Sequence, residues 1–243
     1  ATGGAVTAVM LINGCPVWAT IIVAILAGLA AGLVTGLLHT LLGIPDILAG
    51  ILTQIALYSI NLNIMGKSNL PISYRNYTLV VSASNINMAI LVGLGICAVV
   101  VAAMYWYFGT EQGSTIRSTG SNPAMSKAQG ININFTKVIA LALSNGLVAL
   151  SGSLFAQYQG FADINMGRGA IVIGLAAVII GEVVFGKISR NFAFSLLTVA
   201  LGSIIYYLVM QVVLWLGLNS NDLKLLSALV VAVFLAIPYM KRK

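Results

Sequence analysis

Long apolar stretches, separated by short polar breaks, fill most of this 243-residue chain. Residues 1–13 are a short apolar piece, the end of a span or a re-entrant segment. Pro16 to Leu38, Ile47 to Met65, Ile86 to Phe108, Val138 to Gln157, Phe192 to Leu218 and Leu223 to Met240 are each long enough to cross a bilayer. A hydrocarbon core of about 30 Å takes roughly 20 residues of helix. Backbone in lipid must satisfy its own hydrogen bonds, which leaves only helices or closed barrels. The runs lack the strict alternation of a barrel, so they predict helices. Ala170 to Phe185 is apolar but shorter, and predicts a short, tilted or partly re-entrant helix. The expected fold is an all-α membrane bundle, one domain over residues 1–243, with about seven or eight spans.

The polar breaks carry turn chemistry. Gly43–Ile44–Pro45–Asp46 is a breaker followed by a helix start, since Pro and Asp both suit a first turn. Lys67 to Thr78 and Tyr158 to Gly169 read as loops, and part of Tyr77 to Ile86 reads as lying across the membrane interface. Tyr105, Trp106 and Tyr107 end one span as an aromatic anchor. The largest break is Gly109 to Lys137, with glycines at 109, 113, 120 and 130. Within it, Asn122 to Gln129 predicts one or two helical turns, with Asn122 as N-cap and Pro123 at the first helical position. Gly120 and Gly130 are expected to turn the chain sharply on either side.

Composition agrees with the pattern. Residues are 60% hydrophobic and only 7% charged, where a soluble domain carries roughly 25% charged residues. The net charge of +7 lies at helix ends and therefore indicates topology, not nucleic-acid binding. With alternating crossings, one face receives Arg117, Lys127, Lys137, Lys187, Arg190, Lys241, Arg242 and Lys243. The other receives Lys67, Arg75, Arg168 and Lys224. The richer face is cytoplasmic by the positive-inside rule, which places the 109–137 break, the 186–191 turn and the C-terminus there. The start, ATGGAVTAVM, has no basic region of a signal peptide. It is already apolar, and predicts that one or two further helices precede it in the complete protein. Cys15 and Cys97 have neither disulfide nor metal spacing and are expected to be buried small hydrophobes.

Several polar or small residues inside the spans stand out. Gly28, Gly32 and Gly36 share one helix face, a ridge suited to close helix packing or to a narrow pore wall. His39, at the end of that helix, reads as a membrane-interface residue. Gln54, Tyr58 and Asn61 form one stripe, and Ser144, Asn145 and Ser151 lie in a later span. Amides at membrane depth need partners or a wet cavity. They are either interhelical hydrogen-bonding groups or the lining of a solute path. Glu182 fits an ion pair with Lys187, Arg190 or a loop base, or a cytoplasmic gate. Gly181 to Lys187 imitates a phosphate-binding loop, but Ile188 replaces the required Ser or Thr and an apolar span precedes it. No other catalytic or metal-binding spacing is present, which disfavours an intramembrane enzyme. A stand-alone secondary transporter or channel would need coupling-ion sites or a selectivity ring. The chain has few buried charges and no evident inverted repeat.

Arg117, Ser118, Thr119, Gly120, Asn122, Pro123, Met125, Gly130 and Ile131 together resemble the cytoplasmic coupling loop of ABC importer permeases of the branched-chain amino acid and ribose type. The resemblance extends to AGLVTGLLHTLLGIPDILAGILTQIALYSINLNIMGK and to LALSNGLVALSGSLFAQYQGFADINMGRGAIVIGLAAVIIGEVVFG. It is strongest to a subgroup that includes tryptophan/tyrosine permeases, and the family has additional N-terminal residues. The resemblance implies a type II importer permease in the bacterial cytoplasmic membrane, with no cofactor of its own. ATP and Mg would be bound by two partner ATPases, and a second permease copy and an extracytoplasmic solute-binding protein would complete the system. It implies a coupling segment over 110–137 in which Met125 is an apolar knob and Arg117 and Lys127 meet acids on the ATPase. The implied solute is an amino acid, aromatic by preference, or another small polar molecule.

Overall fold

The computed structural model describes residues 1–72, 79–83, 85–167, 169–185 and 192–215, with Leu225 and Ala232 as isolated positions. The expected last span, the 186–191 turn and the cations Arg75, Arg168, Lys187, Arg190 and Lys224 lie outside the described residues, as do the C-terminal ones. Among those described, the helices are α1 (Thr2–Ile12), α2 (Val17–Thr40), α3 (Asp46–Met65), α4 (Ile86–Phe108), α5 (Glu111–Ser121), α6 (Pro123–Ala128), α7 (Ile133–Gln159), α8 (Ala170–Phe185) and α9 (Phe192–Trp215). Two three-residue strands, β1 (Asn69–Pro71) and β2 (Phe161–Asp163), pair antiparallel with Leu70 opposite Ala162. This ribbon corrects the purely helical expectation. It ties together the segments that follow α3 and α7, both read as loops from sequence.

The described contacts fall into two units, Ala1–Val100 with Trp106–Gly167, and Val101–Tyr105 with Arg168–Lys243. In the first, α2 lies antiparallel along α7, α1 packs on both, and α3 packs on α1 and α2. Small residues make this possible. A Cβ on Gly28 would overlap Ala149 and the Asn145 carbonyl, and one on Gly32 would overlap the Leu141 carbonyl. At Gly36 it would come within 2.9 Å of the Val138 Cα. Gly3 of α1 closes in the same way onto the Ala149 backbone. Lipid tails are as apolar as leucine, so such helices associate through close packing and not by escape from water. At the ribbon end, Ala5, Ala8, Leu11, Met65, Ile72, Ala156, Ala162 and Ile164 form one buried cluster.

In the second unit, α8 and α9 meet through a glycine pair that the pattern reading did not single out. A Cβ on Gly181 would overlap the Thr198 carbonyl, and one on Gly202 the Ala177 carbonyl. Tyr206 is buried here against Ala176 and Ile180. Helix α4 is largely exposed and buries only Ala89. Cys97 lies on it and is exposed, which corrects its expected burial: α4 packs little against the other described residues. Cys15 is half-buried.

Candidate functional site

The 109–137 break is not a loop with one short helix. It is two capped helices, α5 and α6. Thr110 caps α5: its Oγ1 accepts from the Gly113 amide at 3.3 Å and donates to the Tyr107 carbonyl at 2.6 Å. Glu111 sits in the first turn, where the helix dipole favours an acid. A Cβ at Gly113 would overlap the Tyr107 and Phe108 backbone, so the helix starts hard against the end of α4. The composition EQGSTIRSTGS is poor for a helix. Ser114 and Thr115 bond back to the Glu111 carbonyl, Ser118 to Thr115 and Ser121 to Arg117, so the hydroxyls bond within the turn. Gly120 lies inside α5, correcting its expected role as a sharp turn. The chain changes direction instead at Asn122, whose backbone is extended.

Asn122 then caps α6, its Oδ1 accepting from the Met125 amide at 3.1 Å, with Pro123 at the first helical position. The end is a Schellman closure. The Ile131 amide donates to the Ser126 carbonyl, the Gly130 amide to Lys127, and Gly130 has φ +80°. Asn132 caps α7 at once, accepting from the Phe135 amide at 3.1 Å. Helices α5 and α6 are thus joined by the single residue Asn122, and α6 and α7 by the four residues 129–132, with all three N-caps made. Both α5 and α6 pack on α7. Ser126 is buried, while Arg117, Gly120, Asn122, Pro123, Met125, Lys127 and Gly130 are exposed and Ile131 half-buried. The result is a short pair of capped, largely exposed helices, a lever in shape, carried directly on a 27-residue helix.

Depth separates the polar residues of the bundle. Of the stripe on α3, Gln54 and Tyr58 are exposed, whereas Asn61 is buried and donates to Thr2 Oγ1 at 3.2 Å. On α7, Ser144 is exposed, and Asn145 folds back onto the Leu141 carbonyl beside Gly32. Glu182 is exposed on α8. Three residue sets that the sequence reading missed are buried. Thr7 donates to Ser153 at 2.7 Å, Thr35 to Thr53 at 2.9 Å, and Gln157 accepts from the Val80 amide at 3.1 Å. The available signal was the spacing: Thr7, Thr35, Thr53 and Ser153 are each set among apolar and small residues of a helix. In a double-mutant cycle of Thr7→Val and Ser153→Ala, we expect a coupling of about 0.6 kcal/mol in the thermal stability of the purified protein. Among the described residues, no three His, Cys, Asp or Glu gather as a metal site requires.

Five described helices are long and apolar enough to cross a membrane, and the outward lever interrupts them. The protein is a multi-pass membrane protein, and its chain belongs to the family described as the branched-chain amino acid transport system permease component, which matches residues 1–238. It is therefore the permease subunit of an ABC importer and not an enzyme. It carries no cofactor, and ATP is hydrolysed by a separate ATPase subunit. Family membership sets aside a carrier or channel working alone. The chain is 43% identical to the tyrosine transport system permease protein of Clostridioides difficile, over 96% of this chain and 77% of that one. It is 30% identical to an uncharacterised protein of Rickettsia prowazekii, over 92% of this chain and 79% of the other. It is 32% identical to the ribose import permease protein of Escherichia coli, over 34% of this chain and 26% of that one. No solved structure matches the chain.

Proposed function

We propose that two copies of this chain form the path of an importer for an aromatic amino acid, with α5 and α6 as the segment that receives motion from the ATPase. The observation that carries the substrate class is the 43% identity, over nearly the whole chain, to a relative named for tyrosine transport. The ribose relative matches only a third of the chain. Two ATPases and an extracytoplasmic solute-binding protein complete the assembly. The charge asymmetry supports a cytoplasmic α5–α6 and C-terminus in a bacterial inner membrane. With a full crossing by α8 and a last span at 223–240, the chain makes seven or eight crossings.

The coupling reading rests on the lever itself. A short helix with both ends capped moves as a rigid body when its exposed face is pushed. Met125 offers an adaptable apolar knob, and Arg117 and Lys127 offer cations for acids on the ATPase. Gly120, Gly130 and Ile131 shape the flanks. For the path, Gln54, Tyr58 and Ser144 are exposed polar side chains on long apolar helices, and for Gln54 and Ser144 a wet path would supply hydrogen-bond partners. Asn61 and Asn145 would support that wall from behind. Glu182 fits a gate near the cytoplasmic face.

Two measurements check this reading. Uptake of labelled L-tyrosine into proteoliposomes holding the complete importer should be competed by tryptophan and phenylalanine, and not by ribose or a nucleoside. Competition by the sugar or nucleoside alone would overturn the substrate class. Gln54→Leu should lower uptake several-fold without lowering the melting temperature, whereas Asn61→Leu should lower the melting temperature, because it strips Thr2 of its partner. Unchanged uptake in Gln54→Leu would remove that residue from the path.

A further inference from the structure

The end of the bundle nearest the lever holds a chain of polar contacts centred on His39. Helices α2 and α7 are antiparallel, so the last turn of α2 lies beside the start of α7. There Lys137 Nζ lies 2.8 Å from His39 Nε2. On the other side of the ring, Nδ1 lies 2.6 Å from Asp46 Oδ1 and 2.8 Å from the Ile44 carbonyl. An ammonium has only donors, so Nε2 must be the acceptor. The carboxylate and carbonyl are acceptors, so Nδ1 must carry the proton. With Lys137 donating, the three contacts fit the ring tautomer that carries its proton on Nδ1.

The mechanical placement is as specific as the chemistry. Lys137 follows α6 by nine positions and lies near the start of α7, on which α5 and α6 pack. Ile44 and Asp46 belong to the turn and first residue of α3. His39 therefore links the helix that carries the lever to the α2–α3 hairpin. Among the described residues, few other titratable side chains lie on the helices packed here. Helix α1 has no titratable group, α2 has only His39, α3 adds Tyr58 three turns beyond Asp46, and α7 adds Tyr158 at its far end. The two lever helices on α7 carry Glu111, Arg117 and Lys127.

We propose that His39 is a positioning residue of the transport cycle: bridging Lys137 on one side and Asp46 with the Ile44 carbonyl on the other, it passes displacement of the lever from Lys137 to the α2–α3 hairpin. This rests on the reading of α5 and α6 as the coupling segment.

The test uses the complete complex in proteoliposomes. ATP hydrolysis stimulated by the permease is measured at about pH 8. His39→Gln can still offer a carbonyl to Lys137 and an amide N–H towards Asp46. His39→Leu can do neither. Stimulation in His39→Leu should be about tenfold below wild type at pH 8, with the ATPase still bound. Stimulation in His39→Gln should be at least about threefold above that in His39→Leu, because Gln restores both contacts. Equal loss in the two variants would show that the ring only packs. Wild-type stimulation in His39→Leu would overturn the proposal equally, and should that variant fail to assemble, full loss of stimulation in an assembled His39→Gln complex decides against it. Met125→Asp in the same assay separates the two readings. If it leaves stimulation intact, the coupling assignment fails. If it abolishes stimulation while the His39 variants behave as wild type, only the present proposal fails.

Discussion

Gly32→Leu is expected to prevent the α2–α7 pair from forming and to leave little native protein in detergent. A single Cβ at this position already overlaps the Leu141 carbonyl, and lies 2.7 Å from the Ala142 Cα and 2.9 Å from the Asn145 Cβ. The obstacle is backbone, which cannot rotate away as a flexible side chain can. Overpacking a core with side chains that can yield costs roughly 1–3 kcal/mol. Here the helices must separate, and close packing is most of what holds them in lipid. A loss of about 3 kcal/mol or more is the expected scale. The same substitution at Gly93 of α4, where nothing among the described residues lies within 4 Å, is the control. Thermal denaturation followed by size-exclusion chromatography distinguishes them: Gly93→Leu should elute as wild type, and Gly32→Leu should aggregate.

Met125→Asp should leave the fold unchanged and stop transport. The side chain is 60% exposed on α6, so neither a cavity nor an overlap is created within this chain. If α6 seats in the ATPase, the substitution puts a charge where an apolar knob was held. Central interface anchors typically contribute 2 kcal/mol or more, so coupled uptake should fall on the order of a hundredfold. Asn122→Ala should act more weakly, because it removes a cap of about 1 kcal/mol and frays the lever without charging it. Uptake and co-purification of the ATPase are read together. Wild-type uptake in Met125→Asp would refute the coupling role of α6.

The apolar blocks Ile86–Phe108 and Ala170–Phe185 are helices over the very bounds that hydropathy predicts. The α6 cap was equally legible, since Asn followed by Pro restricts the backbone within three residues. Helix α5 was not. Its glycines, serines and threonines favour turns when considered singly, and the helix is held by a Thr110 cap, back-bonded hydroxyls and the end of α4. The β1–β2 ribbon was hidden for another reason. Each strand is three residues long, too short for an alternation to show, and each exists only because the other is adjacent.

The candidate site divides along the same line. The polar stripe on α3 looked uniform by helical phase, yet Asn61 meets Thr2 across 59 residues while Gln54 and Tyr58 stay exposed. Phase tells which residues share a face, but burial along that face changes with depth as neighbouring helices diverge. The glycine ridge on α2 was visible as a spacing of four, and its partner, the Leu141 to Ala149 backbone of α7, was not. By itself the sequence determined the membrane class, most helix bounds and the α6 cap, because hydropathy and capping act over a few neighbouring residues. Only the tertiary structure decided which helix each ridge meets, which amide is buried, and that His39 sits between Lys137 and Asp46, with Lys137 lying 98 positions away. Those pairings depend on where helices cross, and no local pattern of apolar and polar residues constrains that.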